Sequence, residues 1–105
     1  MLEKEIEKKV NAHARETGWH QRKWVSPGYR GVPDRIYFYK GFTLCIEFKM
    51  LGRKPTALQD KEMRLLRKAG IRCDVVDNVT EGRHLLDTLK HELDEKAKKL
   101  PKVRN

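Results

Sequence analysis

Two acidic residues stand where a β-hairpin would set them face to face. Asp34-Arg35-Ile36-Tyr37-Phe38-Tyr39 is aromatic and β-branched, and Phe42-Thr43-Leu44-Cys45-Ile46-Glu47-Phe48-Lys49 alternates cleanly, the pattern of two paired strands. Between them lies only Lys40-Gly41, a link short enough to close a tight hairpin. Counting outward from that turn, Tyr39 faces Phe42 and Asp34 faces Glu47, with Cβ atoms roughly 4.5–5.5 Å apart. Lys49 lies two residues beyond Glu47 and projects from the same face of its strand. Opposed carboxylates repel, and a stable sheet normally avoids the pairing. A divalent cation between them removes the conflict. Hard cations such as Mg²⁺ take carboxylate oxygens and keep waters free for a substrate or nucleophile. A lysine beside such a site holds a phosphate oxygen or orients the attacking water. Taken singly, each of these residues is more often a solvated charge; the register, and Pro33 directly before Asp34, set them apart. A local rule broken at one spot is where function is expected.

The elements that must position this group are legible in the periodicity. Ile6, Val10 and Ala14 form one apolar stripe and predict a helix from about Leu2 to Thr17, ended by Gly18. A short strand follows over His20 to Ser26, and Ser26 to Pro33 is a loop by its Pro and Gly content. After the hairpin and a second loop, Met50 to Pro55, Thr56 caps a helix running to about Ala69 with Leu58, Met63, Leu65 and Leu66 toward the core. Gly70 stops it, Ile71 to Val76 is a strand, and a last helix starts near Thr80 or Glu81, burying Leu85, Leu86 and Leu89. The expected class is α/β, with the order α-β-β-β-α-β-α. A hairpin followed by a helical crossover implies a mixed sheet flanked by helices. One domain over residues 1–92 is expected, with a basic tail over 93–105.

Composition narrows the function. The chain has 105 residues, and Lys plus Arg number 24 against 15 Asp plus Glu, a net charge of +9. Such a surplus in a small domain favours a polyanionic partner, because phosphate contacts release condensed counterions. Mean hydropathy is −0.80, and no apolar run approaches the ~20 residues of a membrane span. The first residues carry no apolar signal region, so a soluble protein of the cytoplasm is expected, of a bacterial cell or of a phage acting in its host. Cys45 and Cys73 each sit in an apolar strand and read as buried reduced thiols. His13, His20, His84 and His91 show no metal-ligand spacing and read as surface or packing residues.

Gly31-Val32-Pro33-Asp34, twelve intervening residues, then Glu47-Phe48-Lys49 resembles the PD-(D/E)xK nuclease superfamily. More narrowly, Gly-Val-Pro-Asp, Ile46-Glu47-Phe48-Lys49, Gln59 and the small Lys68-Ala69-Gly70 stretch resemble the virus-type replication-repair nuclease (VRR-NUC) family over roughly Glu3 to Leu89. The resemblance implies a restriction-endonuclease-like fold. It implies metal ligation by Asp34, Glu47 and the backbone carbonyl of Phe48, with Lys49 catalytic. An acidic residue on the first helix would serve the metal, often through water. Glu3, three and seven residues ahead of Ile6 and Val10, suits that role, and Glu7 one turn later is the alternative. Gln59 matches the family's helix glutamine and equally suits a surface position in the first turn.

The implied reaction is phosphodiester hydrolysis by a water acidified at Mg²⁺, with Mn²⁺ substituting because the ligands are all oxygen. Lys49 adds positive charge where the transition state gains negative charge. Lys23, Arg30, Arg35, Arg53 and Lys54 lie before, at or after the hairpin as candidate DNA contacts, and the helix start at Thr56 offers backbone amides to a phosphate. Tyr29 suits stacking or packing, and Trp24 packing. No base-reading motif is visible, which favours recognition of branched DNA by shape. Small stand-alone members of the family resemble Holliday-junction resolvases and work as homodimers, and a two-fold dimer is what cutting two strands at a junction requires. Exposed apolar parts of the first helix are the candidate contact. Two other readings share the charge: a nuclease-like module that holds DNA or a protein without cutting, and a small structural nucleoprotein. Metal dependence separates the first reading from both.

Overall fold

Seven elements follow one another in a computed structural model, which describes residues 1–100: α1 (Glu3–Glu16), β1 (His20–Lys23), β2 (Arg35–Tyr39), β3 (Phe42–Phe48), α2 (Ala57–Lys68), β4 (Arg72–Val76) and α3 (Val79–Lys99). The order is the one that the hydrophobic patterning predicts. The four strands form one mixed sheet in the order β1-β2-β3-β4, antiparallel except for the parallel pairing of β3 with β4 across α2.

The β2–β3 register follows from its turn. Lys40 and Gly41 both adopt positive φ, +44° and +78°, the conformation of a two-residue turn whose twist matches the strands it joins. Tyr39 therefore pairs with Phe42, and the ladder runs out to Arg35 opposite Ile46. One step further out come Asp34 and Glu47.

Alternation along the strands divides the side chains between two layers. Tyr37, Leu44, Ile46, Phe48 and Val76 pack with Ile6, Val10 and Ala14 of α1, Leu86 and Leu89 of α3, and Trp19. On the opposite face Cys45 and Cys73, paired across β3 and β4, pack with Met63 of α2, against Trp24, Ile36, Leu66 and Ile71. Both thiols are buried and free, as expected. The first two helices end in the same device: Trp19 N–H donates to Ala14 at 2.9 Å, and Ile71 N–H to Leu66 at 2.9 Å, each across a glycine that stops the helix.

Four expectations need correction. Leu58 and Leu65 are 51% and 49% exposed, because α2 meets the sheet along a narrow line through Met63 and Leu66, and residues one heptad apart share its outer side. β1 ends at Lys23, short of Ser26; Trp24 N–H makes one more bond, to Asp34 O at 3.0 Å, before the loop takes over. α3 begins at Val79, earlier than expected, because Asn78 caps it by accepting from Glu81 N–H at 2.8 Å. The same helix passes residue 92 and reaches Lys99. Leu93 packs on the core, and Asp94 accepts from Tyr39 Oη at 2.6 Å and Lys40 Nζ at 2.7 Å, so this stretch clasps the hairpin turn. Residues 101–105 of the expected tail lie outside the described residues.

His13 bonds Asp87 at 2.7 Å and ties α1 to α3, a packing role. Among the described residues, no helix is long and apolar enough to cross a membrane. α3 packs tightly on the core at Gly82, where an added Cβ would lie 2.6 Å from Val10 Cγ2 and 3.0 Å from Val76 Cγ1. Neither branched side chain can swing away inside the core. Gly82→Ala should therefore destabilise the protein by about 1–2 kcal/mol in urea unfolding, the overpacking cost exceeding the gain in helix propensity.

Candidate active site

The loop before β2 delivers Asp34 under tight constraint. Gly31 has φ +90°, and a Cβ there would come within 2.9 Å of the Leu58 carbonyl oxygen, so only glycine lets the chain lie against the first turn of α2. Pro33 is fully buried and fixes the backbone entering Asp34. Asp34 then binds the neighbouring strand through its side chain: Oδ2 accepts from Phe48 N–H at 2.8 Å. Burial pushes its carboxyl above the ordinary aspartate range, the Phe48 N–H pulls it back, and the charge of Glu7 adds to the rise.

Glu47 is 2% exposed near the end of β3, within the buried run Leu44 to Phe48, whose other members are apolar. Its Oε2 lies 3.3 Å from Lys49 Nζ, while Oε1 is buried without a hydrogen-bond partner. Burial first, and the Asp34 charge second, raise the Glu47 carboxyl to about 7, against a smaller downward pull from Lys49. Buried polar atoms are almost always bonded, so the orphaned Oε1 needs a partner that the described residues do not supply.

A hard divalent cation fits that need. Among the described residues no three His, Cys, Asp or Glu side chains gather into a ready-made cage. Mg²⁺ asks for less: it is commonly held by one or two carboxylates and keeps its waters. Asp34 and Glu47 would be that pair, and the main-chain carbonyl of Phe48, between Glu47 and Lys49, would be a further oxygen donor.

The remaining expected residues are placed unevenly. Glu7 is engaged by Arg35 Nε at 2.6 Å and by Lys23 at 3.6 Å, whereas Glu3 is exposed and has no ion pair among the described residues. Glu3 is near enough to raise both Asp34 and Glu47. Arg35 also donates to Gln21 at 2.7 Å, which leaves it a buttress between α1 and β1. Lys23, Arg30, Arg53 and Lys54 are exposed. Gln59 completes a capping box: its Oε1 accepts from Thr56 N–H at 3.0 Å, and Thr56 Oγ1 accepts from Gln59 N–H at 3.2 Å. Trp24 packs, as expected, and Tyr29 stands 62% exposed in a cleft with Arg30, Leu58 and Leu65. Of the apolar residues in the expected first helix, Ile6, Val10 and Ala14 lie in the core, Ala12 is half-buried and Leu2 is 59% exposed. Sequence reading missed Asn11, which is buried beside the apolar stripe of α1; a polar residue at a core position was the available signal.

Comparison with known proteins bears on the fold and the family. No protein-family profile matches the chain. The chain is 39% identical over 77 residues to "Putative nuclease p44" of Acyrthosiphon pisum secondary endosymbiont phage 1, covering 72% of this chain and 83% of that one. A solved structure described as "VRR_NUC domain" superposes with a TM-score of 0.75 at 25% identity, covering 81% of this chain and 94% of its own.

The raised Glu47 carboxyl has a consequence for stability. From its ordinary value of 4.5 up to about 7, the folded chain binds this proton more tightly than the unfolded chain does. Stability of the metal-free protein should therefore fall as pH rises through that window. In melting curves recorded in EDTA, the difference between wild type and Glu47→Gln should grow with pH, with Glu47→Gln more stable above the window. A difference independent of pH would contradict the burial argument.

Proposed function

The chain belongs to the VRR-NUC family of nucleases, and from that premise we propose that it is a metal-dependent, structure-specific DNA endonuclease. Its substrate in this reading is branched DNA, cut by a homodimer in the manner of a Holliday-junction resolvase. One observation carries the proposal: a buried glutamate with an unpartnered oxygen, beside a second carboxylate and a lysine, at one end of a sheet.

Asp34, Glu47 and the Phe48 carbonyl would hold Mg²⁺, or Mn²⁺ in its place, since every donor is an oxygen. When bound, the ion supplies positive charge to the phosphate and makes a water more acidic. The Phe48 N–H fixes the direction of the Asp34 carboxylate, so the pair is oriented before substrate arrives. Lys49, only 12% exposed, holds its ammonium at the site through Glu47 and can donate to a phosphate oxygen as charge builds there. Glu3 is the outer carboxylate of this reading, because Glu7 is engaged with Arg35. Lys23, Arg30, Arg53 and Lys54 would meet phosphates around the rim, and Arg35 would act through Glu7 as a positioning residue. Gln59 keeps its NH₂ group for substrate while its oxygen caps α2. Two copies related by a two-fold axis present two such sites to a symmetric junction. The phage origin of p44 accords with a protein that acts in a host cytoplasm.

The test is cleavage of labelled four-way junction, flap and plain duplex DNA with Mg²⁺, Mn²⁺ or EDTA. Paired symmetric nicks in the junction are expected, absent in EDTA and reduced by about a thousandfold or more in Asp34→Ala. Cutting of flaps alone would keep the chemistry and remove the resolvase assignment. Equal DNA binding by wild type and Asp34→Ala, with no cutting under either metal, would put a binding module in its place.

A further inference from the structure

A groove of about 340 Å³ lies between α1 and the strands before the active site, with Lys4, Lys8, Asn11 and Arg15 on one wall and Lys23 and Arg35 on the other. Glu7, also in the groove, is paired with Arg35 and Lys23. Lys4, Lys8 and Arg15 have no acidic partner among the described residues. The four α1 residues follow at intervals of four, three and four, which places them on a single helical face. Lys4 and Lys8 are a like-charge pair one turn apart, and Lys4 stands in the first turn, where the helix dipole disfavours a cation. Glu3 and Glu5 in the first turn moderate that repulsion, but neither forms an ion pair with Lys4 or Lys8 among the described residues.

Asn11 is a second, independent sign. It is 6% exposed, and its Oδ1 is buried without a partner among the described residues. An apolar residue at this position would leave no such atom unsatisfied. A carboxamide turned about its last bond presents NH₂ instead, a donor that suits an anionic oxygen entering the groove.

We propose that this groove is a second nucleic-acid site, a track for the sugar–phosphate backbone of DNA outside the scissile phosphate. It rests on the nuclease reading above and adds to it the side from which the substrate is held. Lys4 to Arg15 spans about 16 Å of helix, roughly five steps of duplex at 3.4 Å each, long enough for several phosphates. The groove also opens beside the catalytic pair: Lys23 pairs with Arg35 across β1 and β2, Trp24 N–H donates to Asp34 O at 3.0 Å, and Arg35 directly follows Asp34 in the chain. The backbone of an arm entering the site would thus continue along α1 toward Arg15, held by point charges that carry no sequence information.

Fluorescence anisotropy of a labelled four-way junction in EDTA, over a series of KCl concentrations, tests this without cleavage. Lys8→Ala/Arg15→Ala should lower the steepness of log K against log [KCl] by about two and weaken binding about tenfold or more at low salt. Alanine is a good helix former, so the variant keeps α1. Lys68→Ala, at an exposed position on α2, should leave both quantities as in wild type. Asn11→Leu should melt at higher temperature yet bind the junction several-fold more weakly; a merely structural Asn11 would show a lower melting point and unchanged affinity. Unchanged slope and affinity in Lys8→Ala/Arg15→Ala, with a wild type that cuts DNA, overturns the groove and leaves the nuclease reading standing. A wild type that never cuts, with the slope still lowered by two, does the reverse. Binding of polyglutamate that is lost in the double variant while junction binding persists would assign the groove to an acidic protein and overturn the proposal.

Discussion

The opposition of Asp34 and Glu47 is the constraint from which the rest of the structure can be understood. Two carboxylates at one strand end, one of them nearly sealed from water, are an arrangement that a sheet tolerates only with help. Some of that help is internal. The Phe48 N–H takes one oxygen of Asp34, and Lys49 sits against one oxygen of Glu47. It is incomplete, because the other Glu47 oxygen stays unpartnered and its carboxyl is driven up to about 7. Added positive charge at this point would relieve both carboxylates, which is why a cation is proposed there.

Much of the architecture serves to keep that pair in place. The Lys40–Gly41 turn sets the register that carries Asp34 opposite Glu47, and Asp94 on α3 clasps the turn from outside. Gly31 presses the preceding loop onto α2, and the capping box at Thr56 and Gln59 stiffens the turn it presses against. The parallel pairing of β3 with β4 buries Glu47 from the other side, and Lys49 N–H continues that ladder by donating to Val76 at 3.0 Å. The carboxylates are therefore oriented by backbone geometry more than by their own rotamers, the kind of preorganisation that a charged transition state rewards.

What was legible in the sequence follows from how local each cause is. The hairpin register could be counted from the turn because a two-residue link leaves one pairing. Strand and helix order, the buried thiols and the Thr56 cap rest on equally short-range signals. Leu58 and Leu65 misled because an apolar residue on a helix says only that it has a face, and the partner for that face is set by tertiary packing. Arg35 reads from sequence as one more basic residue before the site; only the fold shows it turned onto Glu7 and Gln21. The α3 extension past residue 92 was hidden because Asp94 looks like solvated charge until Tyr39 and Lys40 are brought to it. Asn11 is hard to read for the opposite reason: it is buried in the fold, while its side chain has the chemistry of a surface.

Asp34 and Glu47 together would form one cation site, and the roles proposed for the residues around them depend on it. Calorimetric titration of Mn²⁺ into wild type, Asp34→Asn and Glu47→Gln tests it most directly. A single binding event in wild type that disappears in both variants is the predicted result. Equal heats in all three proteins, or no binding by wild type while the fold stays intact, would contradict it.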